Sequence, residues 1–507
     1  MLPPSYLDRM PDAFVQLWQQ VEEQILQDVA RRIGKMDTVT PTANWQLWRY
    51  QQTEALRNDV VKLLAKYTGK SETAIRKLLL QAATEAMERE DAIYYHYDME
   101  PTPFEESAAL NNLLDAGARQ TCGTWQNLTA TTANTVTGAF ERTLDAAWLR
   151  VSTGAFDYKT AVKQAVDSLA DDMPMVTYPS GHKDSIEVAA RRAVLTGVNQ
   201  TCGKLQEARM DEMGCEFVET SAHGGARPSH AEWQGRQFHR GGAVTYKGKY
   251  YPDFYEATHY GSGDGIYGWN CSHTHFAIFP ELGAPPQWTQ EQLRELNARN
   301  IEWNGKKYTA YEISQMQRAR ERNVRRWKKR YLAEDAAGLD PTDAAVRLRA
   351  ARQSLAEFAQ ATGGRVDSAR VSVPKFGRSE AGKASYIVQK QTRFDAANKE
   401  LQQMREAGTI KAKGKLIASP PAPNEINFAS EHVLQRWAER GMGPMDAERI
   451  IRTSKIAMSQ RNGTQTCYYS EYGFVAIGQD GNVASIGPLD EGGKKLMEVV
   501  RKHGIPH

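Results

Sequence analysis

The sequence predicts a multidomain α+β protein, in which a helical amino-terminal region precedes a loop-rich α+β module, a basic helical segment and a small carboxyl-terminal α+β domain. Three observations predict this fold class. Apolar residues recur at helical spacing through the first third, histidines and glycines concentrate between Glu219 and Phe276, and three strand-like runs lie near the end. A chain of 507 residues is long enough for two to four domains, each with its own apolar core.

Composition excludes several broad classes of protein. The 64 basic and 61 acidic residues leave a net charge of only +3, so there is no global electrostatic argument for nucleic-acid binding. No apolar run is long enough to cross a bilayer, and residues 1–10 lack the order of a signal peptide. The five cysteines form no C-x-x-C pair, which is typical of free thiols in a reducing compartment. We therefore expect a soluble intracellular product.

Residues 1–180 form the predicted helical region. A helix begins after Asp12, because Phe14, Trp18, Val21, Ile25 and Val29 fall on one face. A second helix is predicted from Trp45 to Gly69, and a third follows Ser71 as its N-cap. Further helices are expected over residues 105–120, 122–150 and 158–171. Gly69-Lys70-Ser71 resembles the end of a phosphate loop, but Leu64 stands where that motif needs glycine and a helix comes before it, so nucleotide binding is discarded.

Residues 181–285 form the predicted central module. A helix capped by Asp184 or Ser185 and ending near Gly214 leads into a strand from Cys215 to Thr220. The segment that follows carries six of the eleven histidines: His223, His230, His239, His259, His273 and His275. Its many glycines predict a compact module rich in loops.

The chemistry of this module is open to more than one interpretation. Imidazole and thiolate bind zinc well, and Cys271, His273 and His275 with His223 and His230 would supply enough ligands. Ligands one residue apart on a strand chelate only with strain, however, so we predict no metal and interpret these side chains as buried structural groups with hydrogen-bond partners. A Gly263-x-Gly265-x-x-Gly268 match to the dinucleotide fingerprint is followed by Trp-Asn-Cys rather than a helix, so no cofactor is predicted.

Three blocks of this module resemble a known family. Ser221–Gly235 reads SAHGGARPSHAEWQG, Tyr251–Phe254 reads YPDF, and Tyr267–His273 reads YGWNCSH. Together they resemble the signature of the tailed-phage minor capsid protein 2 family, related to Mu F-type head-morphogenesis proteins. The signature residues are His223, Arg227, His230, Trp233, Gly235, Trp269, Cys271 and His273. The resemblance implies a virion protein made in the host cytoplasm, located at the portal vertex or in the head interior, with portal and capsid proteins as partners.

A weaker interpretation also comes from this resemblance, because such modules have a remote kinship with ADP-ribosyltransferase folds. It would require an NAD pocket lined by Arg227 or His230 and an acidic residue such as Glu232.

Residues 363–427 form a predicted linker with one short helix near Phe394–Met404 and the proline-rich Ser419–Glu425.

Residues 286–362 form a predicted charged helical segment, in which eight basic residues lie from Arg318 to Arg330. Two interpretations stay open: a solvated face balanced by acids elsewhere, or contact with packaged DNA or an acidic portal surface. The second interpretation assigns nucleic-acid binding to Arg325, Arg326, Lys328 and Lys329.

Residues 428–507 form the predicted final domain, with a helix after Ser430, another through Met445 and Ile451, three strands, and a closing helix near 494–503. The strands are expected at Thr464–Ser470, Gly473–Gly478 and Asn482–Gly487. The block HVLQRWAERGM resembles RelE/barnase/colicin-type nucleases. That resemblance implies metal-free RNA cleavage, with His432 as acid/base, Arg436 and Arg440 as charge stabilisers, and Arg461 and Tyr468 at the sheet edge.

Two functional hypotheses follow. In the first, the chain is a structural component of the phage head, acting in morphogenesis or leaving with the genome, and its last domain is an interaction module. In the second, it delivers a carboxyl-terminal ribonuclease effector that acts on RNA after entry. The alternative for the last domain is a purely structural role, in which His432 hydrogen-bonds a backbone carbonyl and Arg436 and Arg440 pair with Glu439 and Glu448.

Overall fold

The structure is a computed structural model. It describes residues 2–36, 42–153, 157–172, 175–177, 183–283, 285–410, 414–417, 426–428 and 439–505, with the single residues 420, 423, 435 and 437. The chain divides into two compact units, residues 1–377 (unit 1) and residues 378–507 (unit 2). In the described part of the chain, no helix combines the length and the apolar character needed to cross a bilayer.

The first part of unit 1 is helical. Its elements are α1 (Pro4–Arg9), α2 (Asp12–Gly34), α3 (Thr42–His96), α4 (Ala108–Ser152), α5 (Tyr158–Asp172), the short hairpin β1 (Met175–Thr177) and β2 (Lys183–Ser185), and α6 (Ile186–Glu212). The apolar stripe of α2 packs into a core shared with α3, α4, α5 and α6, where Phe14 and Trp18 meet Trp125 edge to face. The helix predicted after Asp12 is therefore confirmed.

Two predicted helix breaks are wrong. The helices expected on either side of Gly69 are one helix of 55 residues, α3. Ser71 does not cap a helix, because its hydroxyl donates to the Tyr67 carbonyl at 2.7 Å within the same helix. The expected helices over 105–120 and 122–150 are likewise joined as α4.

The second part of unit 1 contains short strands in long loops. Its elements are β3 (Phe217–Thr220), α7 (Pro228–Ala231), β4 (Gln237–His239), β5 (Val244–Tyr246), β6 (Lys249–Tyr251), α8 (Phe254–Ala257) and β7 (His275–Ile278). Strand β3 lies in the middle of an antiparallel sheet ordered β4-β3-β7, with Val218 opposite Phe238 and Ala277. We call residues 215–283 the histidine-rich module.

Unit 1 ends with α9 (Gln290–Leu296), the hairpin β8 (Ile301–Trp303) and β9 (Lys306–Tyr308), α10 (Ala310–Ala336) and α11 (Thr342–Ala361). Thr309 begins α10 with a capping box, because its hydroxyl accepts from the Glu312 amide while the Glu312 carboxylate accepts from the Thr309 amide. Helix α10 packs against α2 and α5 as well as α11. The basic segment is thus part of the packed helices of unit 1, α1–α6, α10 and α11, which we call the helical body.

The described residues of unit 2 form a five-stranded antiparallel meander with helices. Its elements are α12 (Arg378–Glu406), β10 (Lys415–Ile417), α13 (Pro444–Thr453), β11 (Ile456–Gln460), β12 (Gln465–Ser470), β13 (Gly473–Gly478), β14 (Val483–Gly487) and α14 (Glu491–Lys502). The three predicted strands are confirmed as β12, β13 and β14, while β10 and β11 were missed. Helix α12 is 29 residues long and replaces the short helix expected near Phe394–Met404. The multidomain α+β fold class is confirmed.

Candidate functional site in the histidine-rich module

Two loops carry the signature residues of the histidine-rich module to one place. The first loop leaves β3 at Thr220 and runs into α7, which carries His230. The second contains Cys271 and His273 and leads into β7. Strands β3 and β7 are neighbours, so the loops at this end of the sheet converge. His230, Cys271 and His273 are each buried, and one ligand atom from each lies within 4.8 Å of the other two.

The three side chains face one another through their sulfur and Nδ1 atoms. His230 Nδ1 lies 3.3 Å from His273 Nδ1, and Cys271 Sγ lies 3.7 Å from His273 Nδ1 and 3.9 Å from His230 Nδ1. Trp233 covers the cluster, with ring centroids 4.6 Å from His230 and 4.9 Å from His273. The cluster is therefore enclosed by protein.

The outer nitrogens of both rings are held by oxygens. His230 Nε2 donates to the Asp264 carbonyl at 2.7 Å, and His273 Nε2 donates to Gln234 Oε1 at 3.1 Å. The orientation of the Gln234 amide is fixed, because the same oxygen accepts from the His223 backbone amide at 3.1 Å. Each ring therefore carries its single proton on Nε2, and each Nδ1 presents a lone pair to the cluster.

Burial shapes the ionisation of these groups. It lowers the pKa of His230 to about 4 and also lowers the pKa of His273, in both cases because an imidazolium would lose its hydration. Burial raises the pKa of the Cys271 thiol to about 11 for the corresponding reason. Near neutral pH all three groups are uncharged.

His275 belongs to a different network from Cys271 and His273. Its Nε2 lies 2.9 Å from Glu207 Oε1, and its Nδ1 lies 2.5 Å from the Tyr267 hydroxyl. Burial alone would raise the pKa of Glu207, but the hydrogen bonds and charges of His275, Tyr255 and Arg240 lower it to about 2. The expectation that Cys271, His273 and His275 lie one residue apart on a single strand is therefore wrong: residues 271–274 lie in a loop that precedes the strand, where Cys271 and His273 converge while His275 does not.

The remaining signature residues shape the loops. Arg227 Nη2 donates to the Trp269 carbonyl at 2.5 Å, which joins the two loops. Gly235 has a positive φ of 65°, and a Cβ there would meet Leu293 Cδ2 at 2.6 Å. Trp269 is 59 % exposed and lines a cavity of about 250 Å³ between α4 and α6.

Two other patterns in this module, the glycine fingerprint and the set of Arg227, His230 and Glu232, have structural explanations. A Cβ on Gly265 or Gly268 would collide with the backbone carbonyls of His259 and Gly263, so these glycines permit a tightly folded loop. Arg227, His230 and Glu232 do not converge on a pocket: His230 is 1 % exposed, and Glu232 lies on the surface.

The cations of α10 are engaged inside unit 1. Arg325 Nη2 contacts Glu187 Oε1 at 2.5 Å, Arg326 pairs with Asp171, Lys328 donates to the Val371 carbonyl, and Lys329 pairs with Glu22. Of the four, Arg326 has the most exposed side chain, at 48 %. These contacts support the first interpretation of the segment, in which acids elsewhere balance the charge, and DNA binding stays a prediction.

The predicted catalytic residues of the last domain are only partly described. His432 and Arg436 lie outside the described residues. Arg440 Nη1 donates to the Ile486 carbonyl at 2.5 Å, Arg461 lies in the turn between β11 and β12, and Tyr468 is 3 % exposed within an apolar cluster that includes Trp437. The described contacts of Arg440 and Tyr468 are those of residues that hold the fold together, and ribonuclease activity stays a prediction.

Comparison with known proteins assigns residues of unit 1, the larger of the two units, to a family. The sequence profile described as "Phage minor capsid protein 2" matches residues 2–360, which is more than half of the chain. The chain belongs to the phage minor capsid protein 2 family. This membership supports the expectation of a virion structural component, and the histidine-rich module with its signature residues lies inside the matched range.

One curated relative of this minor capsid family member is a "Structural protein" of Lactococcus phage LL-H, which is 28% identical over 252 residues. The alignment covers 47% of this chain and 63% of the relative, so the chain spans less than two thirds of that protein. No solved structure matches the chain significantly.

Proposed function

We propose that the protein is a minor structural component of the phage head, located at the portal vertex, where it acts in head morphogenesis. One observation carries the proposal. The family match over residues 2–360 falls within unit 1, residues 1–377, and this supports the proposal that unit 1, with its helices and the histidine-rich module, is the part that acts in the phage head.

A partner surface is available on the helical body. Leu47 and Tyr50 on α3 and Leu149 on α4 are 59, 63 and 57 % exposed. All three lie at the end of the α3–α4 pair where Trp45 stacks on Trp148 at 5.8 Å. Exposed apolar side chains at one end of a large helical body are typical of a protein–protein contact, and we assign this end to the portal or capsid.

The experiment is complementation of a phage that lacks the gene. Purified heads should contain the wild-type chain at low copy number, detected by quantitative mass spectrometry. Heads from cells supplied with a Leu47→Asp, Leu149→Asp double variant should contain much less of it, because a buried carboxylate opposes docking. Electron microscopy of the lysates would then show aberrant or unfilled heads.

Leu282→Asp is the matched control, because Leu282 is 56 % exposed at a different position in unit 1. Heads should incorporate this variant normally. Mature heads that contain none of the wild-type chain would overturn the proposal. Normal incorporation of the double variant would instead show that the contact with the portal or capsid lies on another surface.

Particles collected before and after genome ejection distinguish a resident component from an ejected one. A chain that acts only in morphogenesis stays with the emptied head, whereas a chain that leaves with the genome is depleted from it. Either outcome is compatible with head location.

A further inference from the structure

We propose that His230, Cys271 and His273, with His223 as the fourth ligand, form a zinc-binding site that crosslinks the two signature loops. Three separate features of the structure support the site: the distances between the ligand atoms, the direction of the ring protons, and an unpaired nitrogen on His223.

The distances fit tetrahedral coordination. With zinc bonds of about 2.05 Å to nitrogen and about 2.3 Å to sulfur, tetrahedral angles place two nitrogens about 3.3 Å apart and a nitrogen and a sulfur about 3.6 Å apart. The observed nitrogen–nitrogen distance from His230 to His273 is 3.3 Å. The sulfur–nitrogen distances of 3.7 and 3.9 Å require only a small contraction.

The ring protons point away from the centre. The carbonyl of Asp264 and the side-chain oxygen of Gln234 can only accept, so they hold the protons of His230 and His273 on Nε2. Two neutral Nδ1 lone pairs then face each other at 3.3 Å, and a cation between them would remove their mutual repulsion. A metal-ligating histidine whose other nitrogen donates to an oxygen is the usual arrangement at zinc sites.

His223 has the same pattern. Its Nδ1 lies 3.2 Å from the Gly224 carbonyl, so the proton is on Nδ1, and its Nε2 is buried without a hydrogen-bond partner. Its ring packs on His273 with centroids 4.4 Å apart. His223 lies outside the 4.8 Å cluster, so it becomes the fourth ligand only when its side chain rotates and Nδ1 releases the Gly224 carbonyl.

The chemistry of the donors selects the ion. One thiolate and three imidazoles suit zinc, whereas calcium and magnesium prefer oxygen. The site is covered by Trp233, and with His223 rotated inward four protein ligands would fill a tetrahedral shell, so the proposed role is structural. Zinc would convert the buried Cys271 thiol into a thiolate and fix the loop after β3 to the loop before β7.

The experiment measures metal in the full chain. Protein produced with zinc in the medium and passed over a desalting column should contain one zinc ion per chain by mass spectrometry of the metal. Cobalt exchanged into the site should give the visible bands of tetrahedral coordination and a near-ultraviolet band from a single thiolate. Cys271→Ser should lose the bound metal and that band.

Cys215→Ser is the matched control, because Cys215 is also a buried thiol of the histidine-rich module but donates to the Phe217 carbonyl at 3.2 Å. It should keep the zinc. Gln234→Met removes the acceptor that orients His273 and should weaken zinc binding about tenfold or more in chelator competition.

His273→Cys tests the site independently of Cys271→Ser, whose loss of metal could also result from misfolding. It keeps a ligand at this position, so it should bind cobalt with a stronger thiolate band than the wild type. Wild-type protein that contains no zinc and takes up no cobalt would overturn the proposal, as would retention of metal by folded Cys271→Ser.

Discussion

Gly117 on α4 lies directly against Thr201 on α6, and a Cβ atom at Gly117 would overlap the Thr201 hydroxyl. The relation is reciprocal one turn away, where Gly197 on α6 lies against Thr121 on α4. Both threonine hydroxyls donate within their own helices, Thr121 to the Gly117 carbonyl at 2.8 Å and Thr201 to the Gly197 carbonyl at 2.7 Å. The two glycines thus allow α4 and α6 to pack closely in the middle of unit 1.

Gly117→Ala should destabilise unit 1. The gain in helix propensity is about 1 kcal/mol, but overlap at a packed crossing costs about 1–3 kcal/mol. Chemical denaturation followed by tryptophan fluorescence measures the difference, since ten of the eleven tryptophans lie in unit 1.

Gly123→Ala is the control for that substitution. Gly123 is on the same helix, and a Cβ there would meet nothing within 4 Å. It should leave stability unchanged or raise it by up to about 1 kcal/mol. Equal effects of the two alanines would contradict the close packing of α4 on α6.

Lys329→Met should also destabilise unit 1, because Glu22 would lose its partner. The Glu22 side chain is 1 % exposed, and that of Lys329 is 13 % exposed. Burial by itself lowers the pKa of the Lys329 ammonium, but the charges of Glu22 and Glu187 hold it above its ordinary value. Removing one partner of such a pair costs about 3–5 kcal/mol, and the double variant with Glu22→Gln should recover part of the loss. If Lys329→Met alone has no effect on the denaturation midpoint, the pair does not stabilise the fold.

The same contacts decide how DNA association should be tested. Changing Arg325, Lys328 and Lys329 removes interior ion pairs and hydrogen bonds, so a loss of binding in such variants would not report on DNA contact. Arg326→Gln is the informative change, since that side chain is 48 % exposed and its ion pair with Asp171 lies at the surface. If α10 contacts phosphate, this substitution should reduce the salt dependence of DNA binding by about one ion. An unchanged salt slope, with an unchanged denaturation midpoint, would remove Arg326 from any DNA interface.

Local patterns predicted helices better than they predicted their ends. The apolar stripe from Phe14 to Val29 predicts α2 correctly, whereas Gly69 predicts a helix end at a position through which α3 continues. A glycine inside a helix costs about 1 kcal/mol relative to alanine. At Gly69, which is exposed, the burial of Leu64 and Ile75 on either side offsets this cost.

Partners that are distant in sequence could not be predicted. The residue types of the histidine cluster were recognised, but Gln234 and Asp264, which orient its rings, carry no signal in their spacing. Similarly, the acid that faces Lys329 is Glu22, 307 positions away. Sequence composition shows that charges must be balanced, while only the fold shows which carboxylate does it.

Glu23→Gln should change how stability depends on pH. Burial raises the pKa of Glu23 from 4.5 to about 8, against a smaller opposing effect of its hydrogen bond with Gln27. Between these values the unfolded chain is ionised at this position while the folded chain keeps its proton, so the free energy of unfolding falls as pH rises. The glutamine variant lacks this loss, and its stability relative to the wild type should increase by up to about 1.4 kcal/mol per pH unit across the window.

Denaturation midpoints at pH 5 and pH 8.5 test this expectation. Glu105→Gln, at an exposed position in the same unit, should follow the wild type at both pH values. A Glu23→Gln variant whose advantage is the same at the two pH values would show that Glu23 ionises normally in the folded protein.

A fragment of residues 378–507 should fold, whereas residues 425–507 should not. Leu401 of α12 and Leu416 of β10 lie in the same apolar cluster as Met458 of β11 and Val500 of α14. Asn398 joins α12 to β10 through two hydrogen bonds with Leu416, at 2.7 and 3.0 Å. The shorter fragment loses this side of the core and exposes the β11 edge that β10 covers.

Thermal denaturation followed by circular dichroism distinguishes the two fragments: a cooperative transition is expected for residues 378–507 only. Within that fragment, Leu401→Ala should cost about 2–5 kcal/mol, because it leaves a cavity where α12 meets the sheet. The exposed neighbour Gln402→Ala should be neutral. Cooperative unfolding of residues 425–507 would show that α12 and β10 are dispensable for the core, and only then would the shorter fragment suit an RNA-cleavage assay with His432→Ala.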